Sequence, residues 1–183
     1  LASTADDLRA RALRLLARRD YSRQELATKL LSKPAPRPTK RHPGNTRDVF
    51  ETVLEAVYEA PTESDVQVLL DDLERRKMLS DDRYAEMRIR LRAPRYGNTR
   101  LQQELAQKGI DRDTIAAVLS EQPDELSRCQ ALWLKKFGQA PRDMNERMKQ
   151  TRHLASRGFA MRTIQQVIRS AGNVNTDELT DTP

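Results

Sequence analysis

The chain has 183 residues, 37% hydrophobic, 4% aromatic and 33% charged, with 33 Lys+Arg against 27 Asp+Glu. One cysteine and two histidines cannot build a disulfide framework or a four-ligand zinc site. No apolar run approaches the ~18 residues of a membrane span. Few aromatic and β-branched runs, set against abundant Leu, Ala, Arg, Glu and Gln, predict an all-α chain. The N-terminus lacks the charged-then-apolar layout of a signal peptide, so a cytoplasmic location is expected.

Internal repetition organises the chain. Gln24-Glu25-Leu26-Ala27-Thr28-Lys29 returns as Gln103-Glu104-Leu105-Ala106-Gln107-Lys108 and fades to Arg152-His153-Leu154-Ala155-Ser156-Arg157. Between the last two copies an offset of 49 residues pairs Leu105 with Leu154, Gly109 with Gly158, Ile115 with Ile164 and Val118 with Val167. Three tandem three-helix units follow, over residues 5–79, 80–122 and 123–171, with a tail at 172–183.

In the first unit, Ser22-Arg23-Gln24-Glu25 has capping-box spacing, and Val66, Leu69, Leu70 and Leu73 mark the third helix. An insertion at 33–63 separates that helix from Lys29. Pro34 to Asp48 holds four prolines together with Arg37, Lys40, Arg41 and Arg47, which reads as an exposed loop. Phe50, Val53, Leu54, Val57 and Tyr58 then recur as the apolar stripe of an extra helix.

In the second unit Met87 to Arg92 alternates with period two, as a strand would, but Tyr84, Met87, Arg88 and Leu91 also share a helical face and the repeat favours helix. Gly109 and Gly158 stand where helices should end, and Pro94, Pro123 and Pro141 mark other boundaries. In the third unit the expected stripes are Leu126, Cys129, Leu132 and Trp133, then Met144, Met148, Thr151 and Ala155, then Met161, Ile164, Val167 and Ile168.

Charge is segmental. Residues 1–48 carry a net +7, 49–77 a net −5, 78–120 a net +2 and 125–169 a net +7. So basic a C-terminal third suits a polyanionic partner. Its last helix places Arg162, Gln165, Gln166 and Arg169 on the face opposite Met161, Ile164 and Ile168, whereas the corresponding Asp113, Ala116, Ala117 and Ser120 of the second unit carry no such set. Lys149 and Arg152 lie on the polar side of the preceding helix, and Lys135 and Lys136 end the one before. Lys135, Lys136, Lys149, Arg152, Arg162, Gln165 and Arg169 are therefore the candidate nucleic-acid or filament contacts.

Catalytic chemistry is poorly represented. The chain has no phosphate-binding glycine loop, no HExxH, no GxSxG and no CxxC. His42 and His153 read as surface histidines and Cys129 as core. Asp71-Asp72 and Asp81-Asp82 could suggest a metal-dependent nuclease, yet adjacent carboxylates diverge by about 100° on a helix, and acids after Ser80 suit a helix start. No catalytic residue, cofactor, metal or small-molecule substrate is expected.

The run Leu73 to Ala85 (Leu-Glu-Arg-Arg-Lys-Met-Leu-Ser-Asp-Asp-Arg-Tyr-Ala), the run Gly97 to Ile110 (Gly-Asn-Thr-Arg-Leu-Gln-Gln-Glu-Leu-Ala-Gln-Lys-Gly-Ile) and the tandem units together resemble the RecX family, regulators of the RecA recombinase, over about residues 8–170. The insertion between Leu31 and Ser64 is long for that pattern. The resemblance implies an elongated, curved, non-enzymatic cytoplasmic protein. It also implies binding to RecA and to RecA filaments on single- or double-stranded DNA, restraining filament extension, ATPase, strand exchange and coprotease activity. A helix-turn-helix protein reading duplex DNA through Arg162, Gln165 and Arg169 is the alternative.

Overall fold

The computed structural model describes residues 4–32 and 60–177, and all nine regular elements among them are α-helices. The expected loop at Pro34 to Asp48 and the expected stripe from Phe50 to Tyr58 lie outside the described residues. The chain divides into two bodies, Leu1–Ser80 and Asp81–Pro183.

The first body contains α1 (Thr4–Leu16), α2 (Arg23–Leu31) and α3 (Glu63–Arg75). Leu8 and Ala12, Leu26 and Leu30, and Val66, Leu69, Leu70 and Leu73 recur at helical spacing, so each helix has one apolar stripe and the three stripes close on one another with Tyr21 and Leu79. Six of these side chains, Ala12, Leu26, Leu30, Val66, Leu70 and Leu73, are wholly buried, and each such leucine contributes roughly 1.5–3 kcal/mol. The Ser22 hydroxyl accepts the Glu25 N–H at 3.1 Å at the start of α2. Thr62 and Asp65 form the reciprocal capping box, at the start of α3. That helix ends through Lys77, whose φ of 57° puts a non-glycine residue in the left-handed region. Asp71 and Asp72 are absorbed by the packing of the helices. Arg23 reaches Asp71 at 2.7 Å and Glu74 at 2.5 Å, and Arg9 reaches Asp72 at 2.9 Å. The guanidinium of Arg76, then that of Arg9, holds the Asp72 carboxyl below its ordinary range.

The second body holds two three-helix units. In the first of them, α4 (Asp81–Arg92), α5 (Asn98–Ala106) and α6 (Arg112–Ser120) enclose Tyr84, Ala85, Ile89, Ala93, Leu101, Leu105, Ile110, Ile115 and Val118. The stretch with period-two alternation is helical throughout, beginning at Asp81 and Asp82. Its inward face differs from the expected one, because Leu91 is 68% exposed and Ile89 takes the buried place one turn beyond Tyr84 and Ala85. Gly109 ends the turn after α5 with φ 78°.

The other unit consists of α7 (Glu125–Lys136), α8 (Met144–Ser156) and α9 (Met161–Asp177) around Cys129, Trp133, Leu154, Phe159, Ile164, Val167 and Ile168. The expected stripe on α8 is not the buried one. Met144 is 70% and Met148 53% exposed, Met161 of α9 is 51% exposed, and Gln150 and Leu154 turn inward instead. Burying the indole of Trp133 requires an acceptor for its N–H, and Gln150 Oε1 supplies it at 2.7 Å while Gln150 Nε2 donates to the Gln139 carbonyl at 3.2 Å. Apolar periodicity selects the methionines, and the unpaired indole N–H selects the glutamine. Helix α9 continues past residue 171, where the sequence placed the start of the tail.

Candidate nucleic-acid interface

The expected contact residues sort by helix. Lys135 and Lys136 end α7, Lys149 and Arg152 lie on α8, and Arg162, Gln165, Gln166 and Arg169 alternate with the buried Thr163, Ile164, Val167 and Ile168 of α9. All eight are exposed. Arg169 joins two arginines that the periodicity of α9 could not reveal. With Arg142, Arg147, Met144 and Ile168 it lines a groove of about 420 Å³ between the start of α8 and the far half of α9.

His153 is half-buried rather than a free surface group, and it packs edge-on against Phe137 with ring centroids 5.5 Å apart. Burial lowers its pKa, and the positive charges of Arg157 and Lys136 lower it further. The ends of α7 and α8 thus share one positive field.

A second cationic cluster sits where the two units of this body meet. The guanidiniums of Arg92, Arg100 and Arg157 lie 4.5, 4.7 and 5.5 Å from the centroid of the Tyr96 ring. Gly97 donates its N–H to the Arg157 carbonyl at 2.9 Å, and Arg100 Nη1 donates to the Ser156 carbonyl at 3.2 Å. A Cβ on Gly97 would stand 2.3 Å from the Gly158 carbonyl oxygen. One on Gly158, where φ is +81°, would stand 2.4 Å from Arg100 Cβ. Both glycines are needed for this approach. Beside them a groove of about 470 Å³ opens between Thr99, Arg100, Gln103 and Gln107 of α5 and its margin and Ala155 and Ser156 of α8. The acid in that groove, Glu104, is already compensated by Arg88 at 2.5 Å and Arg92 at 2.8 Å.

Polar side chains hold the joint in register. Arg128, 7% exposed, donates to the carbonyls of Ala93 (3.1 Å), Tyr96 (2.9 Å) and Pro123 (3.0 Å) and to Asn98 Oδ1. Burial lowers the pKa of Arg128. Glu125 Oε1 accepts the Asn98 N–H at 2.7 Å, while Oε2 accepts from Thr163 Oγ1 at 3.0 Å and from the Ala160 N–H at 3.4 Å. One carboxylate therefore faces the positive ends of α5 and α9 while standing in the first turn of α7. Sequence reasoning missed Tyr96, Arg100 and Arg157. The available signal was that each of the two close-packed glycines lies within three residues of an arginine.

Cys129 is fully buried and its thiol is pushed up to about 12 by burial, which removes it as a nucleophile at neutral pH. Among the described residues no group of three His, Cys, Asp or Glu side chains is placed to hold a metal, and no helix is long and apolar enough to cross a membrane.

Comparison with known proteins accords with this architecture. Models of the first, second and third three-helix domains of RecX match residues 9–36, 80–119 and 123–168. The Regulatory protein RecX of Chromobacterium violaceum is 36% identical over 177 residues, covering 97% of each chain. That of Herminiimonas arsenicoxydans is 39% identical over 166 residues, covering 89% of this chain and 91% of the relative. The crystal structure of RecX from Lactobacillus salivarius superposes with a TM-score of 0.66 at 18% identity, over 94% of this chain and 99% of that one, and so shares the fold. The order of three helical units, the matched residues and the near-complete coverage lead to one conclusion: the chain belongs to the RecX family of regulatory proteins.

Proposed function

We propose that this protein is a non-enzymatic, cytoplasmic regulator that binds RecA and RecA filaments on DNA and restrains their extension, ATP hydrolysis, strand exchange and coprotease activity. Membership of a family whose relatives are named regulatory proteins carries this reading. The exposed cationic side chains of the third unit support it in kind, since a partner containing DNA presents a dense array of phosphates. In this reading Lys135, Lys136, Lys149, Arg152, Arg162 and Arg169 supply electrostatic attraction to the DNA of the filament, and Gln165 adds a hydrogen-bonding contact.

The test combines RecA ATPase turnover on single-stranded DNA with co-sedimentation of the chain and the filament. A molar excess of wild-type protein should slow turnover and pellet with the filament. A variant carrying Lys149→Glu, Arg152→Glu, Arg162→Glu and Arg169→Glu should lose affinity while melting close to wild type, because exposed charge changes usually shift stability by less than ~0.5 kcal/mol each. Unchanged RecA turnover in the presence of the wild-type chain defeats the proposal. So does tight, sequence-specific binding to naked duplex without any effect on RecA, which belongs to the helix-turn-helix alternative.

A further inference from the structure

We propose that the groove between α5 and α8, with the arginine-ringed Tyr96 at its head, is a discrete binding site for the phosphodiester backbone of a nucleic-acid strand. This deepens the reading above by locating one contact, but it stands on observations that do not involve RecA.

The first observation is charge left over after internal pairing. Three guanidiniums crowd one phenol ring, and Glu104, the acid that lines the groove, is occupied by Arg88 and Arg92. No carboxylate among the described residues pairs with Arg100 or Arg157. Two cations held against a common ring repel one another, and an anion entering between them relieves that repulsion. Their distances to the ring centroid, 4.7 and 5.5 Å, limit their separation to about 10 Å. Consecutive phosphates advance about 3.4 Å per nucleotide along the axis of a duplex, so a separation of this order suits neighbouring phosphates of one strand.

The second observation is preorganisation. Tyr96 is half-buried against the core of its unit, its carbonyl is held by Arg128, and Arg100 is tied to the Ser156 carbonyl. The glycine-on-glycine contact fixes the ends of α5 and α8 that carry the arginines. Planar guanidiniums fixed in advance lose little conformational entropy on meeting an anion and can meet its oxygens through two N–H bonds.

The third observation comes from the repeat. The 49-residue offset pairs Arg100 with Lys149, Gln103 with Arg152 and Gln107 with Ser156. Each trio has the spacing i, i+3, i+7, so the same outer face of the second helix in two successive units is polar and carries a cation. On α8 the row Lys149, Arg152, Ser156 runs roughly 10 Å into the groove. A regularly charged chain suits two polar rows, one carrying Arg100 and the other Lys149 and Arg152, that meet at a fixed joint, and the amide and hydroxyl groups of Gln103, Gln107 and Ser156 add hydrogen bonds that need no base identity. Three guanidiniums already crowd the Tyr96 ring, which leaves a phosphate backbone a better match for the site than a stacked base.

The experiment is fluorescence anisotropy of the full chain, without RecA, against a labelled single-stranded oligothymidylate and a mixed-sequence duplex of equal length over a salt series. Arg100→Gln with Arg157→Gln should weaken oligothymidylate binding roughly tenfold near physiological salt. It should also lower the slope of log K against log salt by about 1.4, two phosphate contacts at ~0.7 each on a single strand. Arg90→Gln with Arg112→Gln removes the same formal charge from exposed positions of the same body and should leave both quantities near wild type. Arg100→Lys with Arg157→Lys should keep the slope and lose part of the affinity, and it carries the test if the glutamine pair fails to fold. The duplex arm shows whether the groove accepts paired strands, with the same arginine dependence expected if it does. Equal losses in both glutamine pairs, an unaltered slope in the Arg100 and Arg157 pair on both probes, or polyglutamate competing as well as oligothymidylate at matched charge would each overturn the assignment.

Discussion

Replacing Arg128 tests whether the second body is one cooperative piece. The side chain serves four acceptors, three in the connections on both sides of the joint and one on Asn98 at the start of α5, of which the bond to the Ala93 carbonyl is wholly buried and the other three partly so. Arg128→Met keeps much of the apolar bulk and removes every donor. An orphaned buried acceptor costs about 1–3 kcal/mol, so the Ala93 carbonyl accounts for about 2 kcal/mol, and three acceptors that regain some water add about 0.5 kcal/mol each. Relief of the desolvation that lowers the arginine pKa works in the opposite direction, and the net loss should fall near 2–3 kcal/mol. For a body of this size that corresponds to a melting temperature lower by roughly 10–25 °C. Arg128→Lys keeps the charge and at most three donors without the planar fork, and should lose about half as much.

The chain carries its own reporter for this measurement. Trp133 is the single tryptophan and sits 5% exposed in the core of α7 to α9, so its emission in a denaturant titration follows that unit while circular dichroism follows all helices. The variant should lower the midpoint of the Trp133 transition with its steepness retained. If Arg128→Met shifts stability by less than ~1 kcal/mol, or if Arg128→Lys is the more damaging of the two, the polar lock is not what registers the units and the reasoning fails.

Two further outcomes follow from the same joint. Gly158→Ala places a Cβ against Arg100 at a residue with φ +81°, so it should cost roughly 3 kcal/mol or more, whereas Gly172→Ala, with open space around it, should be neutral or stabilising in the same titration. The pKa of His153 is lowered, so the unfolded chain takes up its proton first as pH falls: this contribution is complete above about 6.5 and is lost as pH drops through the folded value. Nuclear magnetic resonance titration should place His153 below 6.5, and Arg157→Gln should raise it; no change in that variant removes the shared positive field at the ends of α7 and α8.

The cores were legible in the sequence because each arises within a few turns of one helix. Val66, Leu69, Leu70 and Leu73 announce their face by spacing alone, and Gly109 and Gly158 announce helix ends because few other residues accept a positive φ. Reading failed wherever a partner from another element decided the outcome. Lys77 takes a left-handed φ just past α3, where no glycine marks the helix end. Gln150 displaced an apolar stripe because a tryptophan from α7 lacked an acceptor, and Leu91 lost its expected place to Ile89 because the facing helix of its own unit met the other side.

The candidate site divides in the same way. The exposed row of α9 could be read from amphipathic periodicity, since a helix that buries one face must show the other, whereas on α8 periodicity chose the wrong inward face although Lys149 and Arg152 are exposed as expected. The Tyr96 cluster could not, because Arg92 and Arg157 belong to different repeats and meet only where two glycines let the ends of α5 and α8 touch. Tandem repetition itself narrows where to look. Positions that match between copies, such as Leu105 and Leu154, answer to packing that each unit must solve again. Positions that carry polar groups without a core to serve, such as Arg100 and Lys149, are free of that demand, and the joint between units sets Arg100 in a groove whose one lining acid, Glu104, is already paired with Arg88 and Arg92.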